Sequence, residues 1–308
     1  MEIKTVSIIG LGALGILIGN HLSSRMPKEN LRFIADEERI KKYKKDMVYC
    51  NGIPCDFHYV TPNEDCKPAD LLIFAVKYSG LQDAIQAVSK QVGEKTIILS
   101  VLNGITSETT IGQTYGMDKI LYCVAQGMDA VKEGNQLNYH NMGILVIGDG
   151  EPGIKSDKTI RIEEFFKKME LPYEVDPNMK KRLFSKFMLN VGVNQTVAVF
   201  NGNYKTVQEE GTARDIMIAA MKEVMLISEK EGIYLTDKDI MYWLEVLSKL
   251  NPEGKPSMAQ DVEAKRFSEV ELFSGTVIEF GKKHGIPTPI NEQLYDRIKD
   301  IESTYLYC

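Results

Sequence analysis

The stretch Val6-Ser7-Ile8-Ile9-Gly10-Leu11-Gly12-Ala13-Leu14-Gly15 decides the fold of this chain. A short β-branched run is followed at once by Gly-x-Gly-x-x-Gly, and an apolar helical stretch runs on from about Leu14 to Ser24. In that setting each glycine has its own task. Gly10 permits the tight turn, Gly12 lets a backbone approach a pyrophosphate, and Gly15 lets helix and strand pack closely; the helix N-terminus supplies a positive field for phosphates. Gly10, Leu11, Gly12, Ala13, Leu14 and Gly15 are therefore candidate cofactor-binding residues. The motif is weak by itself and gains its meaning from what surrounds it.

Outward from this stretch the pattern recurs. Leu31–Ile34 precedes a charged helix from about Glu37 to Lys45, Leu71–Val76 precedes a helix over 81–92, and Thr96–Ser100 comes next. Strands that are apolar on both faces and alternate with helices predict a parallel sheet covered on both sides. Ile120–Val124, a hairpin around Lys132-Glu133-Gly134-Asn135, and Ile144–Ile147 are expected to form a more antiparallel edge of that same sheet. A helix over 160–168 and a strand over 172–175 close the half. Beyond Pro177 the texture is helical, with stretches over 179–200, 213–231, 237–250 and 270–284. The expected fold is α/β: an N-terminal Rossmann-type sheet domain over residues 1–173 and a C-terminal all-helical domain over 174–308, a division that suits 308 residues.

Composition narrows the function. Lys and Arg number 37 against 43 Asp and Glu, a net charge of -6, with no basic stripe to follow a phosphate backbone, so nucleic acid is not an expected partner. Cys50, Cys55, Cys66, Cys123 and Cys308 are odd in number and contain no CxxC, which reads as reduced thiols in a cytoplasm. No apolar run approaches the roughly 18 residues that span a bilayer, and no basic segment precedes Val6, so the expectation is a cytoplasmic protein without a membrane partner. No ligand spacing suggests a metal. His140, expected in an edge strand, and His284, before a Gly-x-Pro turn at a helix end, are not read as catalytic.

Two constellations carry chemistry. Asp36 ends the second strand about 20 residues past the fingerprint, where an acid typically takes the ribose hydroxyls of NAD; it also suits the N-cap of the next helix. The nearby Lys41, Lys42, Lys44 and Lys45 read as a solvated helix face, with the alternative that Arg39 and Lys42 reach a 2′-phosphate and leave Asp36 as a helix cap. Lys186, Asn190 and Asn194 stand at i, i+4, i+8 in an otherwise apolar helix, placing one cation and two amides on a single stripe. A buried stripe of this kind is costly unless it binds something. Facing a keto acid, the ammonium can donate a proton to the developing alkoxide while the amides hold polar groups.

End to end, the chain resembles the ketopantoate reductase (2-dehydropantoate 2-reductase) family. The resemblance is carried in order by GLGALG, AVKYSGL around Lys77, LNGI around Asn103, the Lys-x-x-x-Asn-x-x-x-Asn helix, SMAQD from Ser257, SEVE from Ser268, and HGIPTPIN from His284. It implies reduction of 2-dehydropantoate to pantoate by NAD(P)H, a step of pantothenate and coenzyme A biosynthesis. Lys186 matches the family's general acid, Asn190 and Asn194 the amides that hold the substrate's hydroxyl and carboxylate end, and Ser257 the substrate-contacting serine. Glu269 matches the acid that positions the nicotinamide side and the catalytic centre, while Lys77 and Asn103 match cleft residues beside the nicotinamide ribose, with Asn103 also on the substrate side. The family commonly carries Arg where this chain has Asp36; the family favours NADP(H), and the residue leans to NAD(H). A reductase of another small 2-keto acid and a non-catalytic dinucleotide sensor stay open as alternatives, as does a homodimer.

Overall fold

The structure, a computed structural model, describes residues 2–307, so Cys308 lies outside the described residues. Its first strands and helices alternate as the apolar runs require: β1 (Val6–Ile9), α1 (Ala13–Ser23), β2 (Leu31–Ile34), α2 (Glu37–Asp46), then short strands β3 (Tyr49–Cys50), β4 (Ile53–Pro54) and β5 (His58–Val60). There follow β6 (Leu71–Phe74), α3 (Leu81–Ala87), β7 (Ile97–Ser100), α4 (Ser107–Tyr115), β8 (Ile120–Gln126), β9 (Val131–Glu133), β10 (Gln136–Asn138), β11 (Ile144–Gly148), α5 (Asp157–Lys168) and β12 (Tyr173–Val175). Eight strands form one sheet in the order β12-β11-β8-β7-β6-β1-β2-β5. From β5 to β8 every pairing is parallel, and β11 alone runs antiparallel against β8. Ile8, Phe33, Ile73 and Leu99 pack on one face with Ile16, Leu22 and Phe166, while Ile9, Phe74 and Ile98 pack on the other with Leu81, Ile85 and Ile111. Burial on both faces is what lets these strands be apolar at every position.

The hairpin β9–β10 departs from expectation. It pairs antiparallel with itself, as the turn at Gly134-Asn135 dictates, but it joins β3 and β4 in a separate four-stranded sheet of order β4-β3-β10-β9 and not the edge of the main sheet. Leu137, wholly buried in the main core, fixes that placement. His140 correspondingly lies in a bend beyond β10, exposed, with its N–H donated to Asp129 Oδ1.

The remainder is helical: α6 (Met179–Val199), α7 (Lys205–Gln208), α8 (Thr212–Lys230), α9 (Asp237–Ser248), α10 (Ser257–Glu263), a wide π-type turn over Glu271–Gly275, α11 (Thr276–His284) and α12 (Pro289–Ser303). The π-type turn replaces the first turns of the helix expected over 270–284. The chain divides into two compact units, Met1–Lys180 and Lys181–Cys308. The boundary expected between residues 173 and 174 falls inside β12, whose pairing with β11 keeps it in the sheet unit.

Within the helical unit polar anchors fix the packing. The Trp243 indole donates to Ser185 Oγ at 2.8 Å. Glu223, 7% exposed, accepts the N–H groups of Ile290 and Asn291 and the Asn291 amide, which ties the start of α12 to α8. The HGIPTPIN segment is thereby an element joint: Gly285 closes α11 in the left-handed conformation at φ +66°, Pro289 opens α12, and Asn291 is buried. His284 sits 2.5 Å from Glu231 Oε1.

Candidate active site

In the sheet unit the pairing register sets Ile34, Ile9, Phe74 and Ser100 level across four adjacent strands, with Ile9 opposite Ile34 and Phe74, and Phe74 opposite Ser100. The segments leaving these ends carry, in the same order, Asp36, Gly10–Gly15, Lys77 and Asn103. Chain order reverses between β1 and β6, and it is outside the carboxyl ends of strands at such a switch point that open α/β sheets bind ligands.

The glycines of the first loop separate by what they accommodate. A Cβ at Gly10, whose φ is +101°, would lie 2.5 Å from the Ala75 carbonyl oxygen, and one at Gly15 would lie 1.9 Å from that of Gly10. Both are required by the protein's own packing. At Gly12, by contrast, φ is -75° and a Cβ would meet nothing nearer than 3.5 Å. Packing leaves room for a side chain there, so the open backbone and the α1 N-terminus, which lacks a side-chain cap and an acidic residue in its first turn, make a cradle that fits a dinucleotide's pyrophosphate.

Asp36 opens α2: its Oδ1 accepts the Arg39 N–H at 2.7 Å and its Oδ2 lies 3.3 Å from Arg39 Nε. The lysines at 41, 42, 44 and 45 are exposed on that helix. Lys77 is exposed at the start of a 3-10 turn over Tyr78–Gly80, and Asn103 is half-buried in the bend after β7. Just beyond Asn103 runs a buried polar chain. Ser100 Oγ and Ser107 Oγ stand 2.7 Å apart, and Ser107 Oγ donates to Glu108 Oε2 at 2.9 Å. Glu108 is 1% exposed, its Oε1 has no partner among the described residues, and burial pushes its pKa up to about 7.

In the helical unit α6 presents Lys186, Asn190 and Asn194 at successive turns of one face. Asn194 Oδ1 accepts both Ser257 Oγ at 3.1 Å and the Met258 N–H at 3.3 Å, and its Nδ2 lies 3.5 Å from Asn190 Oδ1. Ser257 is the first residue of α10, so this contact seats that helix's N-terminus on α6. Asp261 in turn holds the far end of α10 by accepting Arg266 Nε at 2.8 Å. Beside Asn190 and Asn194 opens a recess of about 330 Å³ counting its mouth, walled by Tyr204 and by apolar side chains including Val193, Leu247 and Pro256. It is far too small for a dinucleotide.

Glu269 stands two residues before the π-type turn, and its carbonyl accepts the Phe273 N–H at 3.1 Å. Its neighbour Ser268 is held through both N–H and Oγ by Glu302 Oε1, at 2.7 and 2.6 Å. Glu302 was absent from the sequence reading although a signal exists: Leu294, Ile298 and Glu302 repeat every four residues and are all buried on α12. Tyr204 had no such signal, since it stands alone in the turn before α7. The described residues include no group of side chains that could hold a metal ion and no helix long and apolar enough to cross a membrane. The four described cysteines, Cys50, Cys55, Cys66 and Cys123, form no disulfide.

Comparison with known proteins sharpens these arrangements. Among curated proteins, the 2-dehydropantoate 2-reductase of Vibrio cholerae is 26% identical, covering 97% of this chain and 98% of its own length. That of Aquifex aeolicus is 28% identical over 75% of this chain and 76% of its own length. Among solved structures, D-mandelate dehydrogenase in complex with NADH superposes with a TM-score of 0.87 at 21% identity, covering 98% of this chain and 99% of that one. A PanE/ApbA family ketopantoate reductase from Ralstonia eutropha gives 0.83 at 22%, with the same coverage. The family profile described as ketopantoate reductase PanE/ApbA matches residues 6–152 and that of its C-terminal part matches residues 178–302, so the sheet unit and the helical unit are both accounted for. The chain belongs to the ketopantoate reductase family.

Proposed function

We propose that the chain reduces 2-dehydropantoate to pantoate with NAD(P)H. The observation that carries this reading is the polar line on α6, in which Asn190, Asn194 and Ser257 are joined by hydrogen bonds one turn along from Lys186, beside a mostly apolar recess. When bound, the nicotinamide supplies the hydride. The chain's own residues supply the rest. The loop of Gly10, Leu11, Gly12, Ala13, Leu14 and Gly15 binds the pyrophosphate through backbone N–H groups, Asp36 takes the adenosine ribose, and Lys77 and Asn103 border the nicotinamide end. Asn190, Asn194 and Ser257 orient the keto acid. Lys186 holds on Nζ the proton that passes to the keto oxygen as negative charge develops there, and Glu269 positions that centre.

Lys186→Ala tests the assignment. It should lower kcat by at least about a hundredfold, the scale of a lost general acid, with dinucleotide affinity nearly unchanged. Retention of more than about a tenth of wild-type kcat removes Lys186 from the role. The reaction itself is tested by following nucleotide absorbance with 2-dehydropantoate beside a panel of other 2-keto acids, with NADH and NADPH in turn. The apolar walls of the recess favour, as a second reading, another branched 2-keto acid, and higher kcat/KM for such an acid would select it.

A further inference from the structure

We infer that Glu108, acting through Ser107 and Ser100, is a positioning residue for the bend that carries Asn103 and hence for the nicotinamide end of the dinucleotide. The inference rests on the reading of Asn103 as a residue that borders that end. The bend over 101–106 leaves β7 at Ser100 and enters α4 at Ser107. Its two ends are clasped, since the Ser100 and Ser107 hydroxyls stand 2.7 Å apart and both residues are buried. Between them Val101, Leu102 and Ile105 are buried, Gly104 turns the chain at φ +93°, and Asn103 is half-buried. The usual tie at a helix start is missing here. The Thr106 N-cap makes no side-chain hydrogen bond to α4, and its Oγ1 has no partner among the described residues. The serine clasp takes over that task.

The clasp has a direction, and Glu108 sets it. Ser107 Oγ donates its one hydrogen to Glu108 Oε2 at 2.9 Å, so within the serine pair Ser107 accepts and Ser100 donates. Ser100 Oγ in turn accepts the Leu102 N–H at 3.4 Å, one residue before Asn103. A single chain of donors therefore runs from the backbone beside Asn103 to the Glu108 carboxyl, where it ends. Without that last acceptor the Ser107 hydroxyl has no fixed orientation, and the order of the whole chain is lost with it. The carboxyl needs no charge for this. Burial pushes its pKa up to about 7 with no cation beside it to oppose the shift, so on the acid side of neutrality it accepts from Ser107 as a neutral acid. A neutral amide of the same shape can do the same.

The test is calorimetric titration at about pH 6.5, below the pKa of the carboxyl, with whichever of NADH and NADPH the wild type binds more tightly. Beside it the adenosine half of the same nucleotide is titrated, as ADP or as ADP carrying the 2′-phosphate. Ser107→Ala and Glu108→Ala should each weaken the dinucleotide about fivefold or more and leave the adenosine half within about twofold. The double variant should lose no more than either single one, because the two residues are links of one chain. Glu108→Gln keeps the acceptor and should stay within about twofold of the wild type. In an Asn103→Ala background, Ser107→Ala should weaken the dinucleotide no further. Equal losses on the dinucleotide and on its adenosine half overturn the inference, because they mark a structural role. Unchanged dinucleotide affinity in Ser107→Ala also overturns it, and this mildest variant decides the matter if Glu108→Ala does not fold. A Gln variant as weak as the Ala variant overturns it too, since the acceptor is then not what counts. An Asn103→Ala variant that binds the dinucleotide like the wild type overturns the reading of Asn103 and the inference with it, while the reductase reading stands.

Discussion

A methyl group placed on Gly12 makes no contact closer than ordinary packing, 3.5 Å from the Ala75 carbonyl oxygen, whereas one placed on Gly15 meets the Gly10 carbonyl oxygen at 1.9 Å. The two glycines of one motif therefore answer to different masters, ligand and fold. Gly12→Ala should cost at most about 1 kcal/mol of stability, as a change of N-cap, yet weaken dinucleotide binding by about tenfold or more because the added methyl occupies the cradle. Calorimetric titration with NADH and NADPH checks the affinity, and an unchanged Kd for both removes the cradle from Gly12. Gly15→Ala should instead lower Tm outright. Asp36 illustrates the same duality, since it caps α2 through the Arg39 N–H and pairs with Arg39 while being the residue we propose to take the adenosine ribose. Asn caps as well as Asp but carries no charge, so Asp36→Asn separates the two roles. It should leave Tm nearly unchanged, release Arg39 from its 3.3 Å ion pair, and shift the ratio of kcat/KM toward NADPH by about tenfold. A wild type that already prefers NADPH, with the ratio unmoved in the variant, refutes a role for Asp36 in choosing the nucleotide.

At the scale of elements, α6 and α10 meet through one serine. Ser257→Ala leaves Asn194 Oδ1 with the Met258 N–H as its sole partner in the seat of α10 and removes a donor beside the recess. A hydrogen bond to an anionic ligand is worth about 1.5–3 kcal/mol, so KM for the keto acid should rise by roughly tenfold or more while KM for the nucleotide stays put. The opposite pattern, with the nucleotide affected and the acid not, rules out the substrate role. Helix α6 was legible in the sequence from its long proline-free run and from the spacing of Lys186, Asn190 and Asn194, although apolar residues occupy nearly all of its faces. The doubly covered strands were legible too, since apolar runs bounded by glycines have few other uses. The hairpin's turn was readable at Gly134-Asn135, but its partner strands β3 and β4 are two residues each and leave no period to detect. The π-type turn at Glu271–Gly275 is set by tertiary anchors: the Ser274 N–H donates to Gln195 Oε1, and Ser274 Oγ donates to Asn291 Oδ1. Neither partner is near in sequence, so a local reading continues the helix through it.

For the molecule as a whole, one buried carboxyl couples stability to pH more strongly than the net charge of -6 suggests. Glu108 lies at 1% exposure at the start of α4, and burial carries its pKa from the ordinary 4.5 to about 7 in the folded state. The sign follows from proton binding. Below about pH 4.5 both states hold the proton and the stabilising contribution is complete; between about 4.5 and 7 the unfolded chain releases it while the fold retains it, so stability falls as pH rises. Above about 7 both forms are ionised and the loss, on the order of 3 kcal/mol, is constant. Glu108→Gln removes the titration and keeps the shape. Because its amide also needs partners, the informative quantity is the slope of the melting temperature with pH and not the offset between the proteins. From about pH 5 to about pH 8.5 the wild type should lose stability relative to the Gln variant, most steeply between 5 and 7. Parallel curves across that range would show that the carboxyl does not titrate inside the fold, and the buried serine relay beside Asn103 would then hold an ionised Glu108 through Ser107.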